Sequence, residues 1–162
     1  ADVSNKCIQN AYPYGGTFVD LEVDKVTGKV KINNILNIHD SGVILNPLMA
    51  SGQVEGGMTM GMSYALDEEL RYDSSTGKPL NNNLLDYKMP TMMDVPDLMV
   101  DFVEIPDPIG PYGNKSLGEP PNCSPAPAIR NAIADAIGVD INAIPITPQK
   151  IIEVLNAKDK EV

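Results

Sequence analysis

The 162-residue chain has no tryptophan, one histidine, two cysteines and no run of basic residues. Each shortage removes a class of function. Cys7 and Cys123 lie far apart with no paired spacing, which argues against a disulfide framework or a metal knuckle and for reduced thiols. Together with His39 they fall short of the ligand set of a protein-held zinc ion. Twenty-two acidic residues against 12 basic ones leave a net charge of −10. Binding to a phosphate backbone relies on basic groups that release counterions, so nucleic acid is not an expected partner. The apolar runs fall short of the roughly 20 residues of a membrane span. The opening ADVSNKCIQNAYPYGG lacks the apolar stretch of a signal peptide. A soluble, cytoplasmic protein is the expectation, and 162 residues suit a single domain over 1–162.

What the chain does have is proline and glycine, 14 and 13 respectively, a proline share well above average. TFVDLEVD (17–24) alternates as a strand, with Phe18, Leu21 and Val23 as its apolar positions. GKVKINNILNIHD follows after a turn at Lys25–Gly28, so a β-hairpin is predicted there. Asn46-Pro47 is a cap and first-turn pair that opens a helix to about Leu66. EELRYD reads as a short strand, 78–97 as an ordered loop, and LMVDFVEI (98–105) as a strand stopped by Pro106 and Pro108. Ser124-Pro125 opens a second helix with Ile129, Ile133, Ala136 and Ile137 on one face and Gly138 at its end. Thr147-Pro148 opens a third, with Ile151, Ile152 and Leu155 inward. The class is α+β: a β-hairpin and short strands packed with three main helices.

Two features exceed what a plain fold needs. The first helix contains Gly52, Gly56, Gly57 and Gly61, each costing about 0.8–1.0 kcal/mol relative to alanine in a helix interior. Such a smooth strip serves close packing by another element, with Met58, Met60 and Met62 as core filler, or close approach of a ligand beside Gln53 and Glu55. Spacing leaves both open. The second feature is GNKSLGEPPNCSPAP (113–127), which frames Glu119 with Gly118 and the pair Pro120-Pro121. A carboxylate here is either a helix-dipole partner or a general base held rigidly and partly buried. His39 and Asp40 are adjacent in a strand and point to opposite faces, which argues against a nucleophilic triad.

Four segments together carry a resemblance: YPYGGTFVDLEVDKVTGKVKI, HDSGVILNPLMASGQVEGGMTMGMSYALDEEL, YGNKSLGEPP and PAPAIRNAIADAIGVDINAIPITPQKIIEVL. In order and spacing they resemble the C-terminal part of the molybdopterin-binding subunit of the xanthine dehydrogenase and aldehyde oxidase family of molybdenum hydroxylases. Residues 1 to about 11 show no match by motif. The resemblance implies oxidative hydroxylation of an N-heterocycle or an aldehyde with water as oxygen donor. It implies a molybdopterin, in its cytosine dinucleotide form, whose dithiolene holds the metal in place of protein side chains. Glu119 would be the base, Gln53 a cofactor contact through its amide, and the backbone of Lys115, Ser116, Leu117 and Gly118 the cofactor's lining. FAD and 2Fe-2S clusters would reside on partner subunits, beside another segment of the molybdenum subunit. Ser116 stands where the family commonly has Gly or Ala, and Cys123 where it is usually apolar. The alternative is a non-catalytic interaction module that keeps the fold.

Overall fold

A computed structural model describes residues 10–158; Cys7 and most of the unmatched opening segment lie outside them. Strand β1 (Tyr14–Val23) and strand β2 (Val30–Asp40) form the antiparallel hairpin, with Thr17 opposite Asn37 and Gly15 opposite His39. The Asp24 carboxylate organises the connection, accepting from the amides of Val26 and Thr27 and from the Thr27 hydroxyl. Strand β3 (Asp97–Phe102) adds to β2 in parallel, so the sheet order is β1-β2-β3. It ends before the predicted Ile105, although the amide of Val103 still donates to His39 O at 3.0 Å.

Helix α1 (Pro47–Leu66) begins at the Asn46-Pro47 cap and ends at the expected Leu66. Asn46 Oδ1 accepts from Met49 N at 3.1 Å, satisfying one of the free amides of the first turn. The prolines after Glu119 start a single turn, α2 (Pro120–Cys123), that runs into α3 (Pro125–Ile137), closed by Gly138 at φ 67°. Helix α4 (Pro148–Lys158) follows. Ile35 of β2, Val54, Met58 and Met62 of α1, Ile129, Ile133 and Ile137 of α3 and Ile151 of α4 make one continuous core. The α+β expectation with three main helices holds.

Four local expectations do not. Phe18 is 61% exposed, while Val19, Leu21 and Val23 face the core; with a period of two, residues 18 and 21 cannot share a face, and the irregularity at Asp20/Leu21 places its extra residue, Asn33, on β2. EELRYD forms no strand, only an isolated bridge from Tyr72 to Pro79. Met60 is exposed, unlike Met58 and Met62. Ser124 makes no cap: its backbone is helical and its hydroxyl pairs with Thr17 Oγ1 at 2.6 Å. With α2 already wound ahead of it, there is no free helix end for it to cap.

Candidate active site at the end of the sheet

At the end of the sheet where β1 begins and β2 ends, the core changes character. Along β2 the buried face reads Ile35, Asn37, His39, one apolar residue followed by two polar ones. Asn37 donates to Thr17 Oγ1 at 2.9 Å, and that hydroxyl is the one paired with Ser124. His39 lies against β1 at Gly15, where any β-carbon would overlap its Nδ1. Burial pushes the imidazole pKa down, against the opposing pull of the Asp40 charge, which favours the neutral ring.

Asp40, on the opposite face, ties the sheet to the segment that carries Glu119. Its carboxylate accepts from Lys115 Nζ at 2.7 Å, from Gly42 N at 3.0 Å and from Ile105 N at 3.4 Å. The side chains of Lys115 and Asp40 are only 7% and 8% exposed. Burial raises the Asp40 pKa, but the Lys115 ammonium and the two amides outweigh it and hold the carboxyl below the usual carboxylate range. Ser41 adds two bonds to the same loop: its carbonyl accepts from Lys115 N at 2.7 Å and its hydroxyl donates to Ser116 O at 3.0 Å. Gly42 has φ 68°, and a β-carbon there would overlap Gly113 O; only glycine permits both the turn and the approach.

The loop is thus held by three successive residues, Asp40 to Gly42, and two of the expected contacts are redefined. The Lys115 ammonium and amide are both engaged inside the chain, whereas the amides of Ser116, Leu117 and Gly118 have no partner among the described residues. Gln53 is exposed on α1, and its Nε2 lies 3.8 Å from where a β-carbon of Gly118 would sit. Gln53 and Gly118, far apart in the sequence, thus share one rim, which the resemblance implied only by motif. Glu119 itself is exposed, so the partial burial expected of a base is not provided by this chain. Its side chain makes no capping bond. Two cavities flank the loop. One of about 320 Å³ is lined by His39, Ser116, Glu119, Cys123 and Ser124 among others; the other, of about 290 Å³, lies between the loop and the start of α1 at Asn46 and Met49. A larger cavity, about 550 Å³ around Lys29, Met62 and Met93, is remote from these residues in the chain's organisation and contains none of them.

The glycine strip of α1 divides in two. Gly57 and Gly61 are buried under α2, where β-carbons would meet Pro121 Cβ at 2.9 Å and Pro125 Cβ at 2.8 Å. Gly52 and Gly56 face open space, beside exposed Leu48, Met49 and Gln53. Asp40 is the residue that sequence reasoning missed: it was weighed only as a partner for His39. No signal in the sequence marks it, because the burial of Lys115 that demands a counter-charge arises only in the fold.

The residues fit a large anionic cofactor. Among the described residues no group of three or more His, Cys, Asp or Glu is gathered to hold an ion. Unpaired amides, a neutral side-chain amide and a bare helix face are what an acidic chain has to offer such a molecule. No helix of the described residues is long and apolar enough to cross a membrane.

Comparison with known proteins identifies the family. The xanthine dehydrogenase molybdenum-binding subunit of Escherichia coli O157:H7 is 56% identical over 153 residues, 94% of this chain and 20% of that protein. The aldehyde oxidoreductase molybdenum-binding subunit of Escherichia coli K12 is 38% identical over 143 residues, 88% of this chain and 20% of that one. The solved structure of carbon monoxide dehydrogenase from Oligotropha carboxidovorans superposes with a TM-score of 0.85 at 30% identity, over 93% of this chain and 19% of that chain. The chain therefore spans about a fifth of the length of these relatives. Residues 2–96 match the molybdopterin cofactor-binding domain family, a match that starts earlier than the motifs suggested. The chain belongs to that family, as part of the molybdenum-binding subunit of the molybdenum hydroxylases.

Proposed function

We propose that residues 1–162 are the C-terminal molybdopterin-binding part of the catalytic subunit of a cytoplasmic molybdenum hydroxylase. Its reaction is oxidative hydroxylation of an electron-poor N-heterocycle of the xanthine type, or of an aldehyde, with water as the oxygen donor. The observation that carries this reading is the shared rim: Gln53 on the bare end of α1 lies beside the Gly118-Glu119 segment, which Asp40 and Ser41 anchor from behind.

When bound, the molybdopterin, in the cytosine dinucleotide form, supplies a redox-active molybdenum that takes two electrons from the substrate. This chain's residues do the rest of the local work. The Gln53 amide and the free amides of Ser116, Leu117 and Gly118 hold the cofactor. Lys115 acts through position, because its ammonium neutralises Asp40 and fixes the loop. The Glu119 carboxylate accepts the proton of the water-derived nucleophile, and the Gly118 and Pro120-Pro121 frame limits its drift. Enclosure of Glu119 falls to the other segment of the molybdenum subunit. Partner subunits with 2Fe-2S clusters and FAD receive the electrons.

Glu119→Gln in the native assembly tests the reading. Turnover is expected to vanish while molybdenum content, measured by elemental mass spectrometry, stays stoichiometric. Retained turnover would remove Glu119 from the mechanism. Absence of molybdenum from the unmodified assembly, with its partners intact, would favour the interaction-module alternative.

A further inference from the structure

Glu119 is exposed and its side chain caps nothing, so the place of its carboxylate follows from its backbone. That backbone leads straight into α2, a single turn opened by two prolines. Proline has no amide hydrogen to donate, and the turn holds itself by little more than the Asn122 amide on Glu119 O at 2.9 Å. Firmer holds come from outside, on two sides. On α1, residues 57, 61 and 64 fall at i, i+4 and i+7, one helical face. Glycine at the first two lets α2 come close: a β-carbon on Gly57 would stand 3.2 Å from Asn122 N, and one on Gly61 3.2 Å from Asn122 O. The third is Tyr64, whose hydroxyl donates to Asn122 O at 2.8 Å. Burial, with Cys123 as a second cause, raises its pKa and keeps it a donor. On the sheet side, the Thr17 hydroxyl pairs with that of Ser124 at 2.6 Å and accepts from the fully buried Asn37 at 2.9 Å.

Resting on the reading of Glu119 as the base, we propose that Tyr64 and Thr17 are positioning residues, which grip α2 from both sides and so fix where the Glu119 carboxylate stands. Pro121 and Pro125 are buried as well, but apolar contact is non-directional and holds α2 down without fixing where along α1 it sits. A hydrogen bond weakens steeply off its line, so the two hydroxyls fix that place. A base works only within hydrogen-bond reach of the proton it takes, and a misplacement of about 1 Å from a distant change can cost about a hundredfold in rate. One neutral hydrogen bond contributes little to folding by comparison. Loss of the Tyr64 hydroxyl should therefore show in rate far more than in stability. Loss of the Thr17 hydroxyl also strands Asn37 and should show in both.

The test uses the native multisubunit assembly with xanthine as substrate, or benzaldehyde where xanthine is not turned over. Tyr64→Phe is expected to lower kcat per bound molybdenum at least tenfold, with KM within twofold, molybdenum stoichiometric and the unfolding midpoint nearly unchanged. Amide exchange at residues 122–124 should quicken in the same variant, which reports the loosened turn without turnover. Thr17→Val should lower kcat per molybdenum likewise, and Thr17→Ser, which keeps the hydroxyl, should recover most of it. Should Thr17→Val fail to fold, Tyr64→Phe alone decides. A normal kcat per molybdenum in Tyr64→Phe, or unchanged amide exchange, would overturn the proposal. So would a loss of rate matched by the loss of molybdenum, which would give the hydroxyl a structural role only. Failure of the base reading is separate: turnover then survives in Glu119→Gln, whatever Tyr64→Phe does, and this inference falls with it. Turnover of neither substrate by the unmodified assembly would overturn the functional reading and the inference together.

Discussion

The two halves of α1 use the same residue for opposite purposes. Gly57 and Gly61 are covered, with Pro121 and Pro125 seated where their side chains would be. Gly52 and Gly56, one turn away and at the same i, i+4 spacing, touch nothing. Around the covered pair lie Met58, Met62 and Ala65, all buried; around the bare pair lie Leu48, 84% exposed, and Met49, 72% exposed. The difference teaches that the same spacing serves close packing at one end of the helix and leaves an open face at the other. The boundary runs through the Glu119 segment, whose prolines cover Gly57 and Gly61 and whose Gly118 faces Gln53.

The largest way to break this division is to release that segment from the sheet. Asp40→Asn leaves the Lys115 ammonium buried without its counter-charge, and breaking a buried pair from one side costs about 3–5 kcal/mol. Urea unfolding should show that loss at neutral pH, with molybdenum content falling as well. The effect carries a pH signature. The Asp40 pKa is lower in the folded protein than in the unfolded chain. Its contribution is therefore complete above the ordinary carboxylate value of about 4 and is lost as pH falls through the lower, folded value. The gap between wild type and Asp40→Asn should close on acidification below about pH 4. A gap that is constant from pH 7 to pH 2 would mean that the Asp40 charge is not what anchors the loop.

A smaller effect is expected from filling the covered half. Gly57→Ala or Gly61→Ala puts a methyl against proline rings that cannot rotate away. Overpacking of about 1–3 kcal/mol should outweigh the gain of about 1 kcal/mol in helix propensity. Each variant should lower the unfolding midpoint, and α2 should shift away from α1 in a crystal structure. Unchanged stability would show that α2 rests loosely on the helix.

How much of this was legible in the sequence depends on the range of the interaction. The start of α1 followed from Asn46-Pro47 because a cap is a contact between near neighbours. The hairpin followed from alternation, although Phe18 belongs to the outer face, because Val19, Leu21 and Val23 keep an unbroken period of two along β1. Ser124 looked like a cap, since nothing local announces that Pro120-Pro121 already start a turn whose helical backbone passes through it. Glu119 stood out by its frame. That Gln53 belongs to the same site came through family motifs, because contacts between residues that distant have no periodic signature. The role of Asp40 was hidden for the same reason: its partner Lys115 is 75 positions away. The division of the glycine strip was undecidable from spacing, because both halves have the same spacing.

That division suggests the finest test, on the bare half. Gly52→Ala and Gly56→Ala meet no atom within 4 Å, so the methyl adds no clash and removes the helix penalty of glycine. Each should stabilise this chain by up to about 1 kcal/mol, read as a higher unfolding midpoint of the purified protein. If the bare face is reserved for the cofactor or for the adjoining segment of the molybdenum subunit, the same methyls should lower molybdenum content or weaken assembly. Stability and occupancy would then move in opposite directions, which a face kept smooth for contact requires and an idle surface does not. A stabilised variant with full molybdenum and intact assembly would reduce Gly52 and Gly56 to tolerated imperfections of the helix. The functional weight would then rest on Gln53 and the Glu119 segment alone.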